Sequence, residues 1–229
     1  MRSPLLLAAA TVIGSAVLAL PALAAPNLVT NGSFESNFTG WTKSNIPATN
    51  PASVITYNST ATYPTGAFGE KVIPNNAPTI STDPVGTKAA YFVSDFAKNE
   101  TISQSITLTA GFYQIGFSAY LPQNGKDNAG DATFIGKIAG VTLANFAAST
   151  QPAKTWSTFS GTTGFLAAGS YLAEFTFATS FKPSKDVVID QVYVIKVPPP
   201  PATVPEPASM ALLGAGLLGL GLARRRKAG

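Results

Sequence analysis

The chain has no cysteine and no histidine. Without cysteine no disulfide can brace the fold, so stability has to come from a core large enough to stand alone. Without either residue the usual general bases and thiolate nucleophiles are missing, and catalysis would need a Ser-Lys or a paired-carboxylate scheme. Arginine is confined to Arg2 and to Arg224, Arg225 and Arg226, so the whole stretch 25–204 has none. That stretch holds ten lysines and ten acids. Its net charge is therefore zero, and the formal +4 of the full 229 residues belongs to the two ends. A pI near 9.3 would ordinarily suggest a nucleic-acid partner. Here the middle of the chain offers no basic surface, and no nucleic acid is expected.

Both ends read as addresses. Arg2 precedes an almost unbroken apolar run from Leu5 to Leu20, and Ala22-Leu23-Ala24 supplies the small-x-small pattern that signal peptidase cuts. Residues 1–25 are thus expected to be a signal helix, removed after Ala24 or Ala25, and the protein to be exported. At the other end, Ala208 to Ala223 carries no charge and is followed by Arg224, Arg225, Arg226 and Lys227. As a helix that run would span roughly 24 Å, short of a hydrocarbon core of roughly 30 Å. The basic block would hold its far end on the cytoplasmic side. Pro205-Glu206-Pro207, the short Gly/Leu-rich segment and the terminal arginines, in that order, resemble the PEP-CTERM sorting signal of exopolysaccharide-producing bacteria. The resemblance implies an exosortase-type membrane enzyme as partner and cleavage near Pro205–Pro207. The location it implies is the cell envelope or the exterior, after transient anchoring in the inner membrane by a short transmembrane helix. A permanent tail anchor is the alternative and gives nearly the same location.

Between the addresses all 23 aromatics fall from Phe34 to Tyr193, which bounds one domain at 26–197. A Pro-rich linker, 198–204, separates it from the sorting segment 205–229. Pro198 to Pro201 is expected to be extended polyproline II. Inside the domain the apolar period is two. Tyr113, Ile115, Phe117, Ala119 and Leu121 share one face of GFYQIGFSAYL, and Tyr171, Ala173, Phe175 and Phe177 share one face of YLAEFTF. Ile102, Gln104, Ile106 and Leu108 share another, with Thr109-Ala110-Gly111 reading as a hairpin turn into the next strand. Further strands are expected at 28–34, 53–57, 89–93, 132–138, 141–146, 156–162 and 187–197. The last is apolar on both faces, with Ile189, Tyr193 and Ile195 opposing Val188, Val192 and Val194. The fold class is all-β, a two-sheet β-sandwich. Residues 64–84 show no alternation and read as a long loop of the kind that often carries function.

NLVTNGSFE (Asn27–Glu35) with Gly40-Trp41 resembles the opening of jelly-roll domains shared by carbohydrate-binding modules and galactose-binding-like proteins. TISQSITL with Ala110-Gly111-Phe112-Tyr113, then Trp156, then Ile189-Asp190-Gln191-Val192 fit the same pattern in order. The resemblance implies one structural calcium joining the first strand to the last, with Glu35 and Asp190 as its carboxylates. The family's closing motif usually has a second acid where Gln191 stands. A sugar stacks its C–H face on an aromatic ring, and Tyr57, Tyr63, Phe68, Phe96 and Tyr120 are the candidate platforms. Lys71 is a candidate partner for an acidic polysaccharide. No catalytic residue is expected. Two functions stay open: a lectin-like module binding carbohydrate without chemistry, and a structural or adhesive matrix protein held by protein contacts.

Overall fold

The computed structural model describes residues 25–96, 98–180 and 183–201. The signal and transmembrane helices expected from the sequence, with Ala22, Ala24, Pro205, Glu206, Pro207 and Arg224 to Arg226, lie outside the described residues. Among the described residues no helix is long and apolar enough to cross a membrane.

Two five-stranded antiparallel sheets pack face to face. The strands are β1 (Thr42–Ser44), β2 (Ser53–Thr56), β3 (Lys88–Phe92), β4 (Lys98–Leu108), β5 (Phe112–Tyr120), β6 (Ala132–Ile138), β7 (Val141–Ala147), β8 (Ser157–Thr162), β9 (Gly169–Thr179) and β10 (Val187–Val197). One sheet runs β1-β4-β9-β6-β7 and the other β2-β3-β10-β5-β8. A four-residue helix, α1 (Gln123–Lys126), comes after β5. Nine of these strands answer to expected ones. Their inward faces follow from the two-residue side-chain period, which sends alternate residues to opposite sides of a sheet.

The core lies between the sheets and is built on rings. Phe117 of β5 meets Phe134 and Phe175 of the opposite sheet edge-on, at 4.9 and 6.2 Å between centroids, and also contacts Phe146 and Phe159. Its side chain is fully buried. At one open side the sheets come closest: a Cβ at Gly161 of β8 would sit 2.0 Å from the Leu143 carbonyl oxygen of β7. Only glycine tolerates that approach.

Three expectations need correction. The Thr109–Gly111 turn does not make a hairpin, because β4 pairs with β1 and β9 while β5 pairs with β10 and β8. The turn carries the chain from one sheet to the other. Residues 28–34 form successive turns instead of a strand, with Asn31 at φ 54° and Phe34 at φ 58°; asparagine and glycine accept such left-handed geometry, and this segment is rich in them. Finally, β10 does not alternate without interruption. A bulge at Gln191, φ 51°, shifts the register between Asp190 and Tyr193, so Ile189 joins Val192 and Val194 in the main core. The extra bulge residue resets the pattern.

Substituting Phe117 by Ala should cost about 3–5 kcal/mol in denaturant unfolding, the usual loss for a large aromatic cut from a core. A loss below about 1 kcal/mol would show that this ring cluster does not join the sheets.

Candidate functional site

The long stretch 58–87 lies over the outer face of the β2-β3-β10-β5-β8 sheet. Ala67 and Val72 from this stretch pack with Ile55, Tyr57, Ala89, Tyr91, Tyr120, Trp156 and Val188 in a second buried cluster. Polar ties hold it down. Trp156 Nε1 donates to the Ile73 carbonyl at 2.9 Å, Gln191 Nε2 to the Asp83 carbonyl at 2.7 Å, and the Gln123 and Asn124 amides to the Glu70 carboxylate at 2.8 and 3.0 Å. This explains the doubly apolar β10: the sheet is buried on both sides.

Two acids on β10 and just before it, Asp186 and Asp190, point into this second cluster and are essentially buried. Asp190 Oδ2 accepts from Tyr57 OH at 2.7 Å and from Asn75 Nδ2 at 3.2 Å. Asp186 Oδ2 accepts from Tyr91 OH. The Oδ1 of each is buried without a partner. Burial, only partly offset by these bonds, pushes both carboxyls up to about 7. Burial likewise pushes the Tyr57 and Tyr91 phenols up, so both remain donors.

At one end of the sandwich five chain segments converge on a pocket of about 260 Å³. Asn50 precedes β2, Asp95 follows β3, Asn124 and Asn128 come from α1 and the turn after it, and Asp186 precedes β10. Phe68 forms one wall. It sits at the tip of a tight turn in which the Glu70 amide donates back to the Ala67 carbonyl at 3.0 Å, with φ 49° at Phe68 and 85° at Gly69. A bulky side chain is unusual in this left-handed position, and such strain is commonly kept where a site needs it. The turn holds the Phe68 ring 46% exposed, and Tyr63 stacks behind it at 5.7 Å and 18°. Gly125 closes the floor: a Cβ there would lie 2.5–2.8 Å from the Asp186 side chain, so α1 can cross it only with glycine.

The expected platforms divide. Phe68 lines the pocket, and Tyr63 stacks on it without lining the pocket itself. Tyr57 and Tyr120 do not reach the surface, at 7% and 2% exposure, because 58–87 covers them; Tyr120 instead packs on Trp156 at 5.3 Å. Phe96, 41% exposed, follows Asp95 but does not line the pocket, and neither does exposed Lys71. Asn50, Asp95, Asn124, Asn128 and Asp186 were not legible as a group.

Glu35 and Asp190 do not share an ion-binding geometry. Glu35 Oε1 accepts from the Thr87 and Lys88 amides at 2.8 and 2.7 Å, and its Oε2 from Thr87 Oγ1 at 3.0 Å. The Lys88 ammonium donates to the Glu35 carbonyl at 3.0 Å. Hydrogen-bond donors and a lysine thus surround Glu35, whereas calcium needs six to eight free oxygens. Among the described residues no three acids cluster. The donor set does not fit calcium here.

Another sizeable cavity, about 650 Å³, lies at the opposite end between Pro26, Leu28, Tyr113, Lys196 and Pro198, where the chain leaves the domain. The segment beyond that exit has a clear match. Residues 203–227 carry the PEP-CTERM protein-sorting motif. A search of the curated proteins finds no match to the chain. Among solved structures, the carbohydrate-binding module TmCBM61, determined with β-1,4-galactotriose, aligns at a TM-score of 0.51 and 17% identity over 75% of this chain and 99% of that one. The CBM22-1 xylan-binding domain from Paenibacillus barcinonensis aligns at 0.43 and 14% identity, over 78% and 99%. A Stig cyclase from Fischerella sp. TAU aligns at 0.47 and 17% identity, over 77% and 100%. The domain is a jelly-roll β-sandwich, as its motifs led one to expect.

Each buried aspartate keeps its proton in the folded state up to about pH 7, against 3.8 for an ordinary aspartate. The stabilisation is complete below the unfolded value and is lost as pH rises through the folded one. The melting temperature should therefore be higher at pH 5 than at pH 8, and Asp186→Asn with Asp190→Asn should flatten the difference. An unchanged or opposite slope would contradict the burial described here. A chelator should leave the melting temperature where it was; a fall would restore calcium.

Proposed function

We propose that this protein is exported and sorted through its C-terminal signal, cut by an exosortase-type enzyme, and binds carbohydrate non-catalytically at the Phe68 pocket. The observation that carries this reading is an exposed ring, backed by a second ring, beside a circle of amides and carboxyls. Sugar recognition needs those two elements together: an apolar face to stack on and several fixed hydrogen-bonding groups to orient hydroxyls. The alignment with a module that holds galactotriose supports the reading at the level of fold, and a fold alone hosts many functions.

The placement of the pocket suits a tethered binder. It opens beside Asp186, where β10 begins, and the linker departs from Val197, where β10 ends. Eleven strand residues at ~3.3 Å each put the two about 35 Å apart. An anchored tail would thus attach at the end of β10 remote from the pocket, and Pro198 to Pro201 extend the reach further.

The test is a glycan array with the purified protein, together with its Phe68→Ala variant. The intact protein should bind polysaccharide, and Phe68→Ala should weaken binding about tenfold or more at unchanged melting temperature. An array without any bound glycan would remove this reading and leave the structural or adhesive one.

A further inference from the structure

The pocket keeps several hydrogen-bonding groups unused. Asn50 Nδ2 donates to Asp95 Oδ2 at 3.1 Å, Asn124 Nδ2 to the Ala67 carbonyl at 3.3 Å, and Asn128 Nδ2 to the Ser184 carbonyl at 2.7 Å. Each of those acceptors is an oxygen that can only accept, so the orientation of all three amides is fixed by chemistry. One N–H of each amide is thereby used. Asn124 Oδ1 is also used, accepting from the Gly125 amide at 2.7 Å. The oxygens of Asn50 and Asn128 and the second oxygen of Asp95 remain as acceptors, one N–H of each amide remains as a donor, and the Oδ1 of Asp186, in a carboxyl that burial keeps protonated, is buried without a partner.

Asp95 and Asp186 line the pocket, and among the described residues no lysine or arginine does. They are near enough that the Asp95 charge adds to burial in raising the Asp186 carboxyl. Two neighbouring ammonium groups are directed elsewhere, with Lys185 Nζ on the Lys126 and Asn128 carbonyls at 2.9 and 2.6 Å and Lys126 Nζ on the Ala148 and Ser149 carbonyls at 2.9 and 2.7 Å.

Resting on the reading of this pocket as a sugar site, we infer that its ligand is an amine-bearing sugar, a hexosamine residue with a free amino group, and that anionic sugars are excluded. An ammonium brings three donors, which the free oxygens of Asn50, Asn128 and Asp95 can accept. It would sit against Asp95 while the apolar face of its ring stacks on Phe68. A uronate or sulfate would face the Asp95 carboxylate with nothing basic in the described lining to meet it, and burying such an unpaired like charge is costly. Lys71, the candidate partner for an acidic polysaccharide, does not line this pocket.

The experiment compares three oligosaccharide sets of matched length on the full protein: oligoglucosamine, its fully N-acetylated counterpart, and oligouronate. Oligoglucosamine should bind best, about tenfold or more above the N-acetylated set, and lose that margin at high salt, since charge attraction at a partly exposed site is screened. Oligouronate should not bind. Asp95→Asn should lower oligoglucosamine binding by more than N-acetylated binding and so remove the margin, and Phe68→Ala should weaken both. Equal or stronger binding of the N-acetylated or uronate set overturns the inference and leaves the carbohydrate reading intact. Failure of all three sets, together with no binding elsewhere on the array, removes both.

Discussion

The burial of the second sheet on both faces is the constraint on which the rest depends. An antiparallel sandwich can leave the outer sides of its sheets wet, and this one does so on its β1-β4-β9-β6-β7 side. On the other side the stretch 58–87 takes the place of solvent. Tyr57, Tyr91, Tyr120 and Trp156 consequently behave as core residues although they lie outside the sandwich. The two aspartates beneath that cover lose water and find one phenol each, which is why their chemistry differs from that of exposed acids. The same layer sets the tip at Phe68, because the turn that presents the ring is the end of the segment anchored by Glu70 and Trp156. Cover, carboxyls and pocket are one arrangement.

The same cover separates what a single sequence discloses from what it hides. Strand positions were legible because one face of each strand meets a common core, and that requirement writes a period of two into residues such as Tyr113 to Leu121. The sheet assignments were not legible in the same way. Thr109-Ala110-Gly111 is a short turn whether it joins neighbours in one sheet or crosses between two, and only the partners of β4 and β5 decide. The bulge at Gln191 was hidden because β10 is apolar on both sides, so a shift of face leaves the composition pattern intact. Residues 28–34 failed as a strand for a visible reason: Asn31-Gly32 in the middle of so short a run favours a turn.

The site was harder still. Phe68 was visible as an aromatic in an irregular stretch, and Tyr63 with it. Asn50, Asp95, Asn124, Asn128 and Asp186 come from four separate connections, and nothing in their spacing links them. They meet because β3, β5 and β10 end or begin at one edge of the sandwich, a fact of topology and not of local pattern. Tyr57 and Tyr120 misled for the opposite reason: their strands look half-polar, and the cover that buries them comes from a segment with no period at all. The likeness to a galactotriose-holding module at 17% identity agrees with the architecture and leaves these side chains to speak for themselves.

β10 has a mechanical consequence. It is the central strand of its sheet, hydrogen-bonded to β3 over Val187–Ile189 and to β5 over most of its length. A pull on the tail would act on its last residue, and a load on the pocket would enter in part through Asn50, Asp95 and Phe68, which lie on other segments. Such a load would reach β10 through its bonds to β3 and β5, which would bear it together in shear, where peeling from an edge would break them one at a time. A strand loaded this way resists being drawn out from the centre of its sheet.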